Sequence, residues 1–332
     1  MMRGVGIFGL LLGLSLVFPA QAASSLNDAR GAVGPLGFDI QGTPLPREQA
    51  PQLRGRLEQL LGQLRGTPAL APLRGFAIDQ SARLFEQPAA LPSAPAGGWA
   101  HLLVRRVDPA RSERDSSGAL RGIGEGPAVE MRVNDQAALF GYAVGKDARG
   151  DYYQLTVKPR RLQGMPVLQI GSKDVVVLHK PGRKPFAHVS RQRYLEGLLA
   201  SEREHIVSLQ QQLADATDAE SRHQLQQFIQ QWQGTAALKQ QALDAMSEAE
   251  RRSPTCHSSS ARGLFAACSD PDAVYYVTFE PAYFQPDLPP SSVQLLTISV
   301  VNKGFLNDSE LGLKLRQAVA QLDLAALQRS LD

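Results

Sequence analysis

The sequence predicts an α+β protein: an antiparallel sheet split in sequence, flanking helices, and a long antiparallel helical hairpin inserted between strands. Three observations predict it. Short alternating runs succeed one another from Trp99 to Lys180 with no helical run between them, as in antiparallel strands. A long helical periodicity then occupies Ser190 to Arg252, and strand-like runs resume at Ala273 and Val293. Hydrophobic residues make up 43% of the 332-residue chain, enough to supply such a sheet with a core.

The chain begins "MMRGVGIFGLLLGLSLVFPAQAASS", with one charge at Arg3, an apolar run from Val5 to Phe18, a break at Pro19, and small residues at Ala20 and Ala22. This is the order of a secretory signal peptide. The run is shorter than the ~20 residues that a membrane span needs. Residues 1–22 are therefore expected to be removed on export, leaving a mature chain that starts near Ala23. No cysteine follows the cleavage site to carry a lipid, and no later run is apolar enough to span a bilayer. Gln- and Ala-rich stretches and the lack of a wall-anchoring tail point to a Gram-negative periplasm, with an extracellular location as the alternative. A formal net charge of +3 recruits neither nucleic acid nor an anionic membrane.

Residues 23–43 carry no clear period and read as an extended lead-in. Residues 44–189 form the first part of the α+β body. In "PREQAPQLRGRLEQLLGQLRGTP" the residues Leu53, Leu57, Leu60, Leu61 and Leu64 recur at helical spacing. Pro46 suits the start of that helix, and Gly66 with Pro68 suits its end. "LRGFAID" and "SARLFE" read as strands, and "FEQPAALPSAPAGG" as a loop. "WAHLLVRRV" is a strand. Asp108 to Pro127 is polar and Gly-rich, a mobile loop by composition. "AVEMRVND" sets Val129, Met131 and Val133 on one side and Glu130 and Arg132 on the other. "YYQLTVKP", "PVLQIG" and "DVVVLHK" complete the series of strands.

Residues 190–252 form the expected hairpin. Ser190 is a plausible N-cap and Pro254 closes the stretch. Unbroken, it would span ~95 Å at 1.5 Å per residue, too long for a compact domain of this size, so a break is expected near "ADATDAES". Leu195, Leu199, Ile206, Leu209 and Leu213 form one stripe, with Glu202 in one slot. Leu225, Ile229, Trp232, Ala236, Leu243 and Met246 form the other, with Lys239 in one slot. Two such stripes joined by a polar turn describe an antiparallel coiled coil. Pairing Leu213 with Leu225 puts Glu202 opposite Ala236, one turn from Lys239, within reach of an ion pair across the seam.

Residues 253–332 complete the body. Cys256 and Cys268 are the only cysteines. A zinc site wants four ligands in paired short spacings; His257 offers a third ligand and nothing nearby a fourth. A thiol nucleophile would have to stay reduced after export, where cysteines pair. A Cys256–Cys268 disulfide is expected, stabilising the fold by roughly 3 kcal/mol on the chain-entropy account. "AVYYVTFE" and "VQLLTISVV" read as strands joined by the Pro-rich "PAYFQPDLPPSS". The final helices take Asp308 as cap and Leu311, Leu315, Val319 and Leu322 as the buried face.

The chemistry is mostly negative. The chain lacks HExxH, GxSxG and SxxK. His205 in "EREH" reads as a solvated helix residue. Ser258 to Ser260 lie in a loop with no base at fixed spacing. "VGKD" at Val144 lacks the glycines of a phosphate loop, and "GIGEG" (Gly122 to Gly126) lacks the third glycine and the helix of a dinucleotide turn. No catalytic, metal or cofactor-binding residue is assigned, and no cofactor is expected. "KPRR" (Lys158 to Arg161) and "KPGRKP" (Lys180 to Pro185) could meet an acidic polysaccharide; turn and sheet-edge charge that blocks edge pairing is the favoured account.

"KPFAHVSRQRYLEGLL" (Lys184 to Leu199) and "FQPDLPPSSVQLLTI" (Phe284 to Ile298) resemble segments of uncharacterised exported bacterial proteins. These pair a β-rich body with a helix that starts at a Ser/Thr-Arg-x-x-Tyr-Leu stretch, here Ser190, Arg191, Tyr194 and Leu195. The resemblance covers about a tenth of the chain and implies no known activity. Two functions are expected from the whole. The first is a non-enzymatic exported protein that binds an unknown protein or envelope component through the hairpin. The alternative is an envelope hydrolase whose site is assembled only in the fold, using His101, His179 or His188 beside a carboxylate.

Overall fold

The computed structural model describes residues 26–41, 49–85, 94–301 and 309–332. The expected signal peptide (1–22), Pro46 and Asp308 lie outside them. In order, the elements are β1 (Val33–Gln41), α1 (Ala50–Arg65), β2 (Phe76–Phe85), β3 (Gly97–Arg106), β4 (Ala128–Val133), a 3-10 turn (Gln136–Leu139), β5 (Gly145–Asp147), β6 (Gly150–Thr156), β7 (Arg160–Leu162), β8 (Met165–Ile170), β9 (Lys173–His179) and β10 (Phe186–His188). Then come α2 (Arg191–Asp215), α3 (Ala219–Ala245), α4 (Glu248–Arg252), β11 (Cys256–His257), β12 (Val274–Phe279), β13 (Leu295–Val301), α5 (Glu310–Gln321) and α6 (Leu324–Arg329). The fold is α+β, with six α-helices and two largely antiparallel sheets among the described residues.

The expectation of one sheet is corrected to two. One has eight strands in the order β1-β2-β3-β4-β13-β9-β8-β7; the other has the order β10-β12-β6-β5, with β11 also on β12. The reason lies in β13 and β9. Leu296, Ile298, Val176 and Leu178 belong to the core on the helical side. Leu295, Val175 and Val177 belong to a second core on the other side, with Leu155, Val277, Phe279, Tyr283 and Phe284. Strands apolar on both faces need a cover on each, and the five-stranded sheet is the second cover. The chain between β12 and β13 therefore crosses from sheet to sheet, held by Tyr283 Oη donating to the Gln294 carbonyl at 2.6 Å.

Within the extended lead-in, Val33–Gln41 is strand β1, parallel to β2. Parallel neighbours need a crossover, and α1 supplies it. Gly34, Pro35 and Gly37 dilute the alternation that would have marked the strand. "LRGFAID" and "SARLFE" merge into the continuous β2, paired along its whole length with β3. α1 begins at Ala50 with Pro51 in its first turn, and its leucines join those of α5 and α6 over Ile78, Leu102, Met131 and Ile298. Gly98 lets α1 approach: a Cβ there would stand 2.8 Å from Val133 and 3.1 Å from Leu57.

The segment Asp108–Pro127, polar by composition, is pinned rather than loose. Leu120 bridges both Gly31 and Arg114, and Ile123 bridges Arg106. Leu120 packs with Ala77 and Val107 in a small apolar cluster.

Ser190 caps α2, its hydroxyl accepting from the Arg193 N–H, and Asp218 caps α3 in the same way from Ser221. The two helices lie side by side. Leu195 and Leu199 cluster with Leu243, Glu202 pairs with Lys239, and the His205 ring meets Trp232 edge-on at 4.6 Å. α5 is capped by Ser309, next to the expected Asp308, and buries Leu311, Leu315 and Val319.

Candidate functional site

β2, β3, β4 and β13 send alternate side chains to the face away from the helices. In-register pairs place Ser81 beside His101, His101 beside Glu130, and Glu130 beside Ser299, a row across four strands. A neighbouring row runs Arg83, Trp99, Arg132. The Trp99 and His101 rings stack at 5.2 Å. Glu130 accepts from Lys173 Nζ at 2.9 Å and from Arg132 at 3.3 Å, and Arg132 donates to Asp135 at 2.8 Å. Glu130, Arg132, Lys173 and Ser299 line a cleft of about 150 Å³ against Phe140 and Ile170.

The electrostatics follow from that geometry. Burial pushes the His101 imidazole below its ordinary value; Glu130 pulls it up and Lys173 pushes it down. The net direction favours the neutral ring. Burial alone would raise the Glu130 carboxyl, but Lys173 and Arg132 outweigh it and hold it low. Glu130 is thus a carboxylate fully engaged by cations. Chemically the row has Ser, His and Glu in sequence, yet backbone N–H groups inside a sheet are spent on the ladder, leaving none to stabilise an oxyanion.

Of the three histidines singled out in the sequence, His101 alone among the described residues stands in register with a carboxylate. His179, at the end of β9, has Nδ1 3.0 Å from the Lys180 carbonyl. His188 lies against the Tyr275 ring at 4.3 Å, and burial lowers its pKa. His205 meets Trp232. The basic clusters find structural places. Arg160 and Arg161 of "KPRR" form β7, the edge of the eight-stranded sheet. In "KPGRKP", Lys180 donates to the Leu331 carbonyl and Arg183 to that of Tyr283. "GIGEG" is part of the pinned segment. The sequence places Glu130 and Arg132 on the polar side of "AVEMRVND" without assigning them a site, and nothing local marks Lys173.

α2 is anchored at its foot. Arg193 forks onto Asp147 at 2.7 and 2.9 Å. Burial would raise the Asp147 carboxyl, but Arg193 and the Arg149 N–H hold it far below the usual carboxylate range. Tyr152 seats its hydroxyl against α2, 2.8 Å from where a Cβ on Gly197 would stand, so a larger residue there would have to push the phenol aside. Tyr194 meets Tyr276 edge-on at 5.0 Å, and burial with the Tyr276 contact raises its phenol to about 12. Farther out, Val207, Phe228 and Leu238 are 64%, 51% and 66% exposed.

Cys256 and Cys268 form a disulfide with Cα atoms 5.3 Å apart. The bridge ties β11 to a loop in which Asp272 accepts from Ser258 and Ser259, each at 2.7 Å. Those serine hydroxyls, Ser258 foremost, lower the Asp272 carboxyl to about 2. Ser258–Ser260 thereby read as loop architecture. Among the described residues no group of histidines, cysteines and carboxylates could hold a metal ion, and no helix is long and apolar enough to cross a membrane.

Comparison of the chain with protein-family models, with curated proteins and with solved structures finds no match.

Proposed function

We propose that this is an exported, non-enzymatic binding protein, and that α2 and α3 form a helical hairpin serving as its interaction arm for a protein or other component of the cell envelope. The observation that carries the reading is the exposure of Val207, Phe228 and Leu238 on two helices whose seam contacts are with each other. Large exposed apolar side chains grouped on one structural unit suit a partner surface. The disulfide and the absence of an apolar spanning helix among the described residues fit an exported protein.

Replacing Glu202 to Leu243 with a short Gly/Ser turn tests the arm. The expected product is a folded body with its disulfide intact that no longer retains a partner from envelope extract. A second variant, Phe228→Ser with Leu238→Ser, should lose the same partner without touching the seam. An unfolded body after the deletion, together with undiminished capture by the double variant, sinks the reading. Export is tested separately by intact mass from the native envelope, expected to start at Ala23. The hydrolase alternative rests on His101 beside Glu130; His101→Ala should leave any ester or amide turnover unchanged.

A further inference from the structure

Arg30 and Arg74 face each other across an isolated antiparallel bridge. Like charges directly opposite on neighbouring strands destabilise the pairing. Both arginines line a cleft of about 590 Å³, together with Gly31, Ala32, Leu73 and Asp115. Arg74 donates once, to the Asp28 carbonyl at 3.1 Å. Among the described residues neither guanidinium has a carboxylate within ion-pair distance.

Asp115 does not neutralise the pair. Its Oδ1 already accepts from Ser117 N and Ser117 Oγ, each at 2.8 Å, and from Ala119 N at 3.0 Å. Those turn hydrogen bonds, the Ser117 hydroxyl first, dominate the lowering of its carboxyl, and Arg30 contributes least. The next cations along the same segment are also engaged: Arg114 donates to the Gly118 carbonyl at 2.8 Å, and Arg121 faces Glu113 at 3.7 Å. Two unneutralised guanidinium forks thus share one cleft, held side by side by the bridge.

We propose that this cleft binds a phosphate group, taken between the forks of Arg30 and Arg74. Planar guanidinium groups bind oxyanions through paired, charge-assisted hydrogen bonds, and the negative charge of a phosphate offsets the repulsion that the bare bridge carries. The phosphate comes either from a free phosphorylated small molecule or from an anionic lipid headgroup. The site is independent of α2 and α3.

The experiment uses the full chain. Titration with inorganic phosphate and with glucose 6-phosphate is followed by calorimetry and ³¹P NMR, and sedimentation is measured with vesicles of phosphatidylglycerol or of phosphatidylcholine alone. Binding in the phosphate arm assigns a free ligand, and binding to phosphatidylglycerol alone assigns a headgroup. In either case Arg30→Gln and Arg74→Gln should each weaken binding about tenfold, while Arg160→Gln on the far sheet edge leaves it unchanged. Arg30→Lys with Arg74→Lys should keep the charge yet recover only part of the affinity. The proposal is overturned if neither arm binds, or if the glutamine variants bind as the parent does. It is equally overturned if Arg160→Gln loses as much as they do.

Discussion

The core under α1 and the seam between α2 and α3 are both lined by leucines at helical spacing, yet they are different materials. Under α1, Leu53, Leu57, Leu61 and Leu64 are each no more than 2% exposed, pressed on a sheet with helices on one face. Along α3, the buried residues are Ile229 and Leu243, and among those of α2 is a carboxylate, Glu202. The first region is held by apolar burial with little spare volume. The second is a thin contact whose register is marked by a charge pair, so it can open locally at a lower cost than the body.

The sharpest way to break the body is a methyl group. An added Cβ at Gly126 would stand 1.7 Å from the Val104 carbonyl oxygen, and one at Gly31 1.7 Å from that of Phe76. Backbone atoms cannot move aside as side chains do. Gly126→Ala should cost at least ~4 kcal/mol, seen as loss of a cooperative urea transition. A cost below ~1 kcal/mol would mean that the segment Asp108–Pro127 is not part of the body's packing.

The α2–α3 pair breaks differently. Lys239→Ala strands the buried Glu202 carboxylate and should cost ~3 kcal/mol, whereas Glu202→Leu with Lys239→Leu should be neutral or stabilising by ~1–4 kcal/mol. Hydrogen exchange at α2 and α3 amides reads both. If the double variant unfolds α2 and α3 as the single one does, the pair is more than a register mark.

This contrast was partly legible in sequence. The leucine spacing of α1 and α5, the Ser190 cap and the break before Asp218 all lie within local windows, where period and capping chemistry act. The Glu202–Lys239 meeting came within one turn because seam geometry is regular. What stayed hidden needed register over distance. Glycine and proline masked the period of β1. The split into two sheets shows only as the unbroken apolar run Val175–Leu178 of β9, which also suits a single sheet. Asp147 and Arg193 are 46 residues apart, and nothing local ties them.

That last pair joins α2 to β5 of the five-stranded sheet, and pH separates its contribution. Asp147 is depressed in the folded state, so its stabilisation is present above the ordinary carboxylate pKa of ~3.9 and is lost as pH falls from there toward the lower folded value. Asp147→Asn should cost ~2 kcal/mol at pH 7, given side chains only 11–14% exposed. The difference from the parent should shrink steadily below pH ~4, measured by urea unfolding at each pH. A difference that is constant down to pH 2 would assign the loss to geometry rather than charge.

The smallest effect discriminates best between the regions. Gly55 in α1 and Gly234 in α3 both stand with nothing within 4 Å of an added Cβ. In a helix interior alanine is favoured over glycine by ~0.8–1.0 kcal/mol, so both substitutions should stabilise their own helix by similar amounts. The readouts should differ. α1 unfolds with the core, so Gly55→Ala raises the midpoint of the global transition. If α3 opens on its own, Gly234→Ala slows exchange of α3 amides and leaves the global midpoint where it was. Equal shifts of the global midpoint would show that α2 and α3 unfold together with the sheets, and the difference between the two regions would collapse to one of composition.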